Sequence, residues 1–200
     1  MRRHASTSPT LLARLRNPED REAWAEFDLL YRDLILSYCR ARGLQLADAE
    51  DVTQSVQASL FDGLRAFTYD PERGLFRNYL RRTVQNAIYH FLRRSSRNRE
   101  RPGSDALAEA FAGGDEGDDE LWEREWMHHH LRLAMQAIRR SSSPAQVEIF
   151  EKLLNGSTVE DVAAEMGLSV GAVYKSKQRV RARLRELVAM QIRNEDTCVG

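Results

Sequence analysis

The chain is expected to be all-α: two small helical domains, a helical bundle and a helix-turn-helix module, joined by a flexible acidic linker. Three observations predict this. Apolar residues recur every three or four positions through most of the 200 residues, and 42% hydrophobic content is enough to build cores. No pair of alternating apolar runs flanks an Asn-Gly or Asp-Gly step, so strand signals are lacking. The formal net charge is zero, yet charge is segregated: 16 Lys+Arg against 12 Asp+Glu in residues 1–97, 3 against 10 in 98–126, and 11 against 8 in 127–200. Two basic-leaning blocks flank an acidic one.

In chain order, Trp24, Phe27, Tyr31, Leu34, Ile35 and Tyr38 predict a helix from Glu19 to Arg42, started by Asn17-Pro18 and stopped by Gly43. A second helix opens at Asp48 or Asp51 and carries the stripe Val52, Val56, Leu60, Leu64 and Phe67. Asp70-Pro71-Glu72-Arg73-Gly74 is a turn cluster, and a third helix follows from about Leu75 to Arg94. Residues 98–120 are rich in Gly, Asp and Glu and poor in branched apolar side chains, the composition of a flexible linker. Beyond it, Leu121 to Ile138 and Pro144 to Leu154 read as helices, the latter ended by Asn155-Gly156. Thr158 and Asp161 fit a capping box before the face Val159, Val162, Ala163, Met166; Gly167 ends that helix and Leu168 is expected to pack inward. Ser169 caps a last helix that buries Val173, Val180, Leu184 and Leu187. The organisation is therefore 1–97, linker 98–120, 121–191 and a tail 192–200.

Two short helices joined by a Gly-containing turn, the second one basic, form a helix-turn-helix pattern. The run GAVYKSKQRVRARLRE (171–186) has six basic residues and no acid before Glu186. Away from its apolar stripe it presents Ala172, Lys175, Gln178, Arg179 and Ala182, suited to base edges in a major groove. Arg181, Arg183 and Arg185 are placed to neutralise phosphates. Gly171 allows close approach of the helix start, whose N-terminus attracts phosphate. A second basic patch runs from Arg73 to Arg97, with seven arginines and no acid.

Other classes find little support. No apolar run is long enough to span a bilayer, and the basic start MRRHASTSPT is not followed by a signal-peptide core, so no membrane association and a cytoplasmic location are expected. Cys39 and Cys198 have no metal-ligand or disulfide spacing. His128, His129 and His130 are consecutive and point about 100° apart on a helix, so partly exposed histidines are expected there rather than a metal site. No phosphate-cradling glycine loop, nucleophile motif or His-Glu-x-x-His is present, so neither an enzyme nor a cofactor is expected.

DAEDVTQSVQASLFDGLRAF (48–67) and YDPERGLFRNYLRRTVQNAIYHFLRRSSR (69–97) resemble conserved region 2 of the bacterial extracytoplasmic-function (ECF) sigma factors of the sigma-70 superfamily. STVEDVAAEMGLSVGAVYKSKQRVRARLREL (157–187) is similar to their region 4. The resemblance implies a protein that binds core RNA polymerase through its clamp coiled coil and flap, directs it to a promoter through the −10 and −35 elements, and aids melting. It implies that Asp48, Glu50, Asp51 and Gln54 dock on the clamp. It implies that Gly63, Phe67 and Asn86, with Tyr69 and Phe76 as further candidates, build a pocket for an extruded base. Arg77, Arg81, Arg82, Arg93 and Arg94 are implied to hold the displaced strand and flanking phosphates. At the distal element, Tyr174, Lys175, Gln178 and Arg179 stand at the family's base-contacting places, beside Gly171, Arg181 and Arg183. Phe67 also fits a plain core position. The linker acids Asp115, Glu116, Asp118, Asp119 and Glu120 fit either a polyanion mimic on the way to the RNA exit path or a soluble spacer.

Two departures from the family pattern, His90 in place of an acid and Tyr174 in place of a basic residue, leave the promoter sequence open. An anti-sigma protein is a further expected partner, and Thr53, beside the docking surface, is a candidate phosphorylation site for a regulatory kinase. The competing reading is a stand-alone helix-turn-helix regulator that never touches polymerase. It leaves the acidic motif at 48–54 and the acid-free arginine helix without a role.

Overall fold

The computed structural model describes residues 9–65, 76–97 and 116–196. Among them are eight helices and no strand: α1 (Pro9–Leu15), α2 (Arg21–Ala41), α3 (Leu46–Arg65), α4 (Phe76–Arg97), α5 (Glu116–Ser141), α6 (Pro144–Leu154), α7 (Val159–Met166) and α8 (Val170–Asp196). Contacts divide the described residues into two compact units, one holding residues up to His129 together with the end of α8 from Arg193, and the other running from His130 to Ile192.

The first unit is built on α2, whose start is fixed by Asp20. Its carboxylate accepts the Ala23 N–H at 2.9 Å and receives two bonds from the Arg14 guanidinium, each 2.9 Å, which tie α1 to α2. The hydrogen bond from Arg14 is the main reason the Asp20 carboxyl sits below the ordinary carboxylate range. Helix α1 itself is not foreseen by the sequence: its Leu11, Leu12 and Leu15 are buried, but seven residues give too short a period to read. The α2 stripe packs as expected, with Phe27, Tyr31, Leu34, Ile35 and Tyr38 buried. Helix α3 starts earlier than expected, at Leu46, and buries Val52, Val56, Leu60 and Leu64. Helix α4 answers with Phe76, Leu80, Val84 and Ile88, one residue per turn. Each such side chain contributes about 1.5–3 kcal/mol by leaving water.

The second unit holds two adjoining clusters. Ala134, Ile138, Phe150, Val180 and Leu187 form one, and Ile149, Val162, Ala163 and Val173 the other. Helix α6 has the expected bounds, with Ser143 as N-cap and Pro144 in its first turn. The Thr158–Asp161 capping box is present, the Thr158 hydroxyl accepting from Asp161 N–H at 3.1 Å and the Asp161 carboxylate from Thr158 N–H at 3.3 Å. Gly167, at φ 64°, closes α7 in a left-handed conformation that an L side chain resists, and Leu168 N–H reaches back to Ala163 O at 2.9 Å. Leu168 does not pack inward as expected; it is 40% exposed, because this turn carries it past the α7 apolar face.

The expected boundary at 120/121 also differs from the contact division. Helix α5 begins at Glu116, so Asp118, Asp119 and Glu120 are helical rather than part of a flexible tether, and α5 residues up to His129 belong to the first unit. Residues 98–115 lie outside the described residues.

Candidate polymerase-docking and nucleic-acid surfaces

Helix α8 is positioned by its cap and its buried stripe. Ser169 Oγ accepts from Ala172 N–H at 3.2 Å, and Val173, Val180 and Leu187 are buried. That register leaves Gly171, Tyr174, Lys175, Gln178, Arg179, Arg181 and Arg183 exposed on one side of the unit's core. Nothing lies within 4 Å of a Cβ built on Gly171, so the helix start is open. Arg183 is steadied by Glu186 at 3.1 Å one turn on. Sequence reading missed Ser176, which is buried with its hydroxyl lacking a hydrogen-bond partner. It lies three residues after Val173, a spacing that marks it as facing inward.

On α3, Glu50, Asp51 and Gln54 are exposed and form an acidic-polar ridge between two grooves. The groove shared with α2, about 610 Å³, is lined by Trp24, Asp28, Gln54, Gln57 and Phe61 among others. Trp24 and Phe61 meet there with ring centroids 5.3 Å apart. Asp48 departs from the expected docking set: only 6% exposed, it faces the bundle at the helix start. Thr53 is likewise corrected as a modification site. It is fully buried and its hydroxyl donates to Ala49 O at 2.7 Å, so a kinase reaches it only if the helix opens.

The groove between α3 and α4, about 480 Å³, brings together Asp51, Ser55, Ser59, Tyr79, Asn86, His90 and Arg94. Gly63 is explained by close approach, since a Cβ there would collide with the Tyr79 hydroxyl. Burial holds the Tyr79 phenol above its ordinary pKa, so it remains a neutral donor. Tyr79 does not stand out in the sequence; its place one turn before Thr83 and under Gly63 is a tertiary fact. Phe67 and Tyr69 lie outside the described residues. Phe76 is corrected as a base-contacting candidate. It is 2% exposed, in edge contact with Phe27 and Tyr31, and serves as core.

The five arginines of α4 do not share one face. Arg82, Arg93 and Arg94 are exposed near Asn86 and His90. Arg77 and Arg81, one turn apart, instead meet the start of α5: Arg77 pairs with Glu123, and Arg81 with Asp119 at 2.5 Å. Arg42 of α2 pairs with Asp118. Between these pairs Trp122 packs edge-on against Tyr38 at 5.0 Å, and Trp126 stacks on Tyr31 at 6.1 Å with the Arg77 guanidinium 5.2 Å over its ring. Two of the three histidines are buried, contrary to expectation. His129 stacks on Tyr31, and His130 bonds Gln191 through Nδ1 at 3.0 Å within the second unit. No cluster suited to a metal ion occurs among the described residues. No described helix is long and apolar enough to cross a membrane.

Residues 29–98 match the family model of sigma-70 region 2. The matched segment lies in the first unit and runs from Leu29 in α2 through α3 and α4. It spans the exposed ridge, the α3/α4 groove and all five arginines; the second unit lies outside it. A solved structure described as CnrH in complex with the cytosolic domain of CnrY is similar at 20% identity over 92% of this chain and 97% of that one, with a TM-score of 0.37. No curated protein matches the chain.

Proposed function

We propose that the chain is a sigma factor of the extracytoplasmic-function type, which docks on core RNA polymerase and directs it to promoters through two DNA-binding units. The reading rests on one observation above all: the region 2 match covers the segment whose exposed ridge is Glu50, Asp51 and Gln54. Acids and an amide on one exposed helical ridge suit a basic partner helix, here the clamp coiled coil, while the α3 apolar stripe stays in the core. The α3/α4 groove then serves the proximal element. Asn86 offers both amide functions to a base edge, Tyr79 a neutral hydroxyl, and Arg94 a cation for the adjoining phosphate. Helix α8 serves the distal element, with Lys175, Gln178 and Arg179 toward base edges, Tyr174 beside them, and Arg181 and Arg183 toward phosphates. An anti-sigma protein would act by covering either surface. In this role the chain performs no bond chemistry and needs no cofactor.

Co-migration of the purified chain with core RNA polymerase in gel filtration tests the reading, with Asp51→Lys/Gln54→Ala as the comparison. Wild type is expected to co-migrate and the double variant to be lost from the complex at equal concentration. If neither associates although both are folded and bind duplex DNA, the chain is a stand-alone helix-turn-helix regulator.

A further inference from the structure

We propose that the first turns of α5 act as a built-in competitor for nucleic acid, with Asp119 and Glu123 occupying Arg81 and Arg77 as counter-ions that a single strand must displace. The inference rests on the reading of α4 as a strand-binding helix. The two helices meet in register: Asp119 and Glu123 are spaced i, i+4, as are Arg77 and Arg81, and they pair in antiparallel order. The α5 segment also offers the two chemistries that a single strand offers a protein. Its carboxylates repeat once per turn, and Trp126 lies under the Arg77 guanidinium where a base would stack.

Exposure shows which part is fixed and which can yield. Trp122 and Trp126 are 0% and 2% exposed, so the segment is held by aromatic burial. The side chains of Asp119 and Glu123 are 64% and 57% exposed, whereas those of Arg81 and Arg77 are 21% and 23% exposed. The carboxylates therefore lie on the solvent side of the arginines and can swing away without undocking the tryptophans. Solvent-exposed pairs are individually weak, so several phosphates acting together are able to displace them. The Arg42–Asp118 pair is different: both side chains are nearly covered, at 15% and 6%, and it is assigned to holding the helix rather than to the competition.

The salt dependence of single-strand binding tests this, read by anisotropy of fluorescein-labelled oligothymidine with the full chain. Asp119→Asn/Glu123→Gln is expected to tighten binding about ten-fold at low salt. It should also steepen the slope of log K against log[salt] by roughly 1.4, because two freed arginines each add about 0.7 through counter-ion release. Glu19→Gln/Glu22→Gln makes the same change of net charge away from this face and is expected to move affinity less than about two-fold, with no change of slope. Adding Arg77→Gln/Arg81→Gln to the asparagine–glutamine variant should abolish its gain. If Asp119→Asn/Glu123→Gln matches the charge control while wild type still binds polymerase and oligothymidine, the competitor is disproved and the sigma reading stands. If the gain survives loss of both arginines, it arises elsewhere and the competitor is again disproved. If no variant binds oligothymidine at all, the strand-binding role of α4 fails and the inference falls with it. Should the double variant fold poorly by circular dichroism, Glu123→Gln alone carries the test, with roughly half the slope change.

Discussion

Cys39 shows how far burial alone sets chemistry at a single residue. It is fully buried in α2, and desolvation pushes its thiol up to about 12. The thiolate is the reactive form, so with Cys198 replaced by serine a thiol reagent at pH 8 is expected to label Cys39 roughly a thousand-fold more slowly in buffer than in urea. Equal labelling in both would mean that α2 opens readily. The linkage has a definite sign. A raised folded pKa means that the stabilisation is complete below the unfolded thiol range, near pH 8.5, and is lost as pH rises toward about 12. Cysteine inside an apolar stripe is readable from sequence. The burial of Phe76 and Thr53 is not, because a side chain at a helix edge faces the core or solvent according to a neighbour that the local period does not show.

At the scale of elements, the turn between α7 and α8 governs the proposed reading helix. Gly167 holds its left-handed conformation with nothing within 4 Å of the place a Cβ would take, so Gly167→Ala meets backbone strain rather than a clash. A loss of about 1–2 kcal/mol is expected for an L residue held there. Urea unfolding followed by exchange protection in α7 and α8 measures it, and duplex-DNA affinity is expected to fall in parallel. An unchanged stability would show that the turn relaxes and that Gly167 is dispensable. These helix ends are legible in sequence because capping is local: Thr158, Asp161, Gly167 and Ser169 lie within a few residues of the groups they satisfy. Helix α1 and the early start of α5 are not legible. One is too short to show a period, and the other begins in a Gly- and Asp-rich run that reads as linker.

For the whole molecule, the division inside α5 predicts unequal consequences of one core substitution. Trp122 is fully buried against Tyr38 in the first unit, so Trp122→Ala is expected to cost about 3–5 kcal/mol there. Hydrogen exchange read by mass spectrometry should show protection lost in α2 to α4 and kept in α6 to α8. Equal loss in both would mean that the two units fold as one. The sequence by itself determined the all-helical class, the bounds of most helices, the buried stripes of α2, α3 and α8, and the exposed basic side of α8. Those features are periodic or local, and they act between residues within about two helical turns. Tertiary structure alone decided that Asp119 meets Arg81 across 38 residues, that Arg77 and Arg81 part company with Arg82, Arg93 and Arg94, and that Tyr79 lies under Gly63. Such pairings depend on which helices pack and in what register, and charge composition carries no record of either.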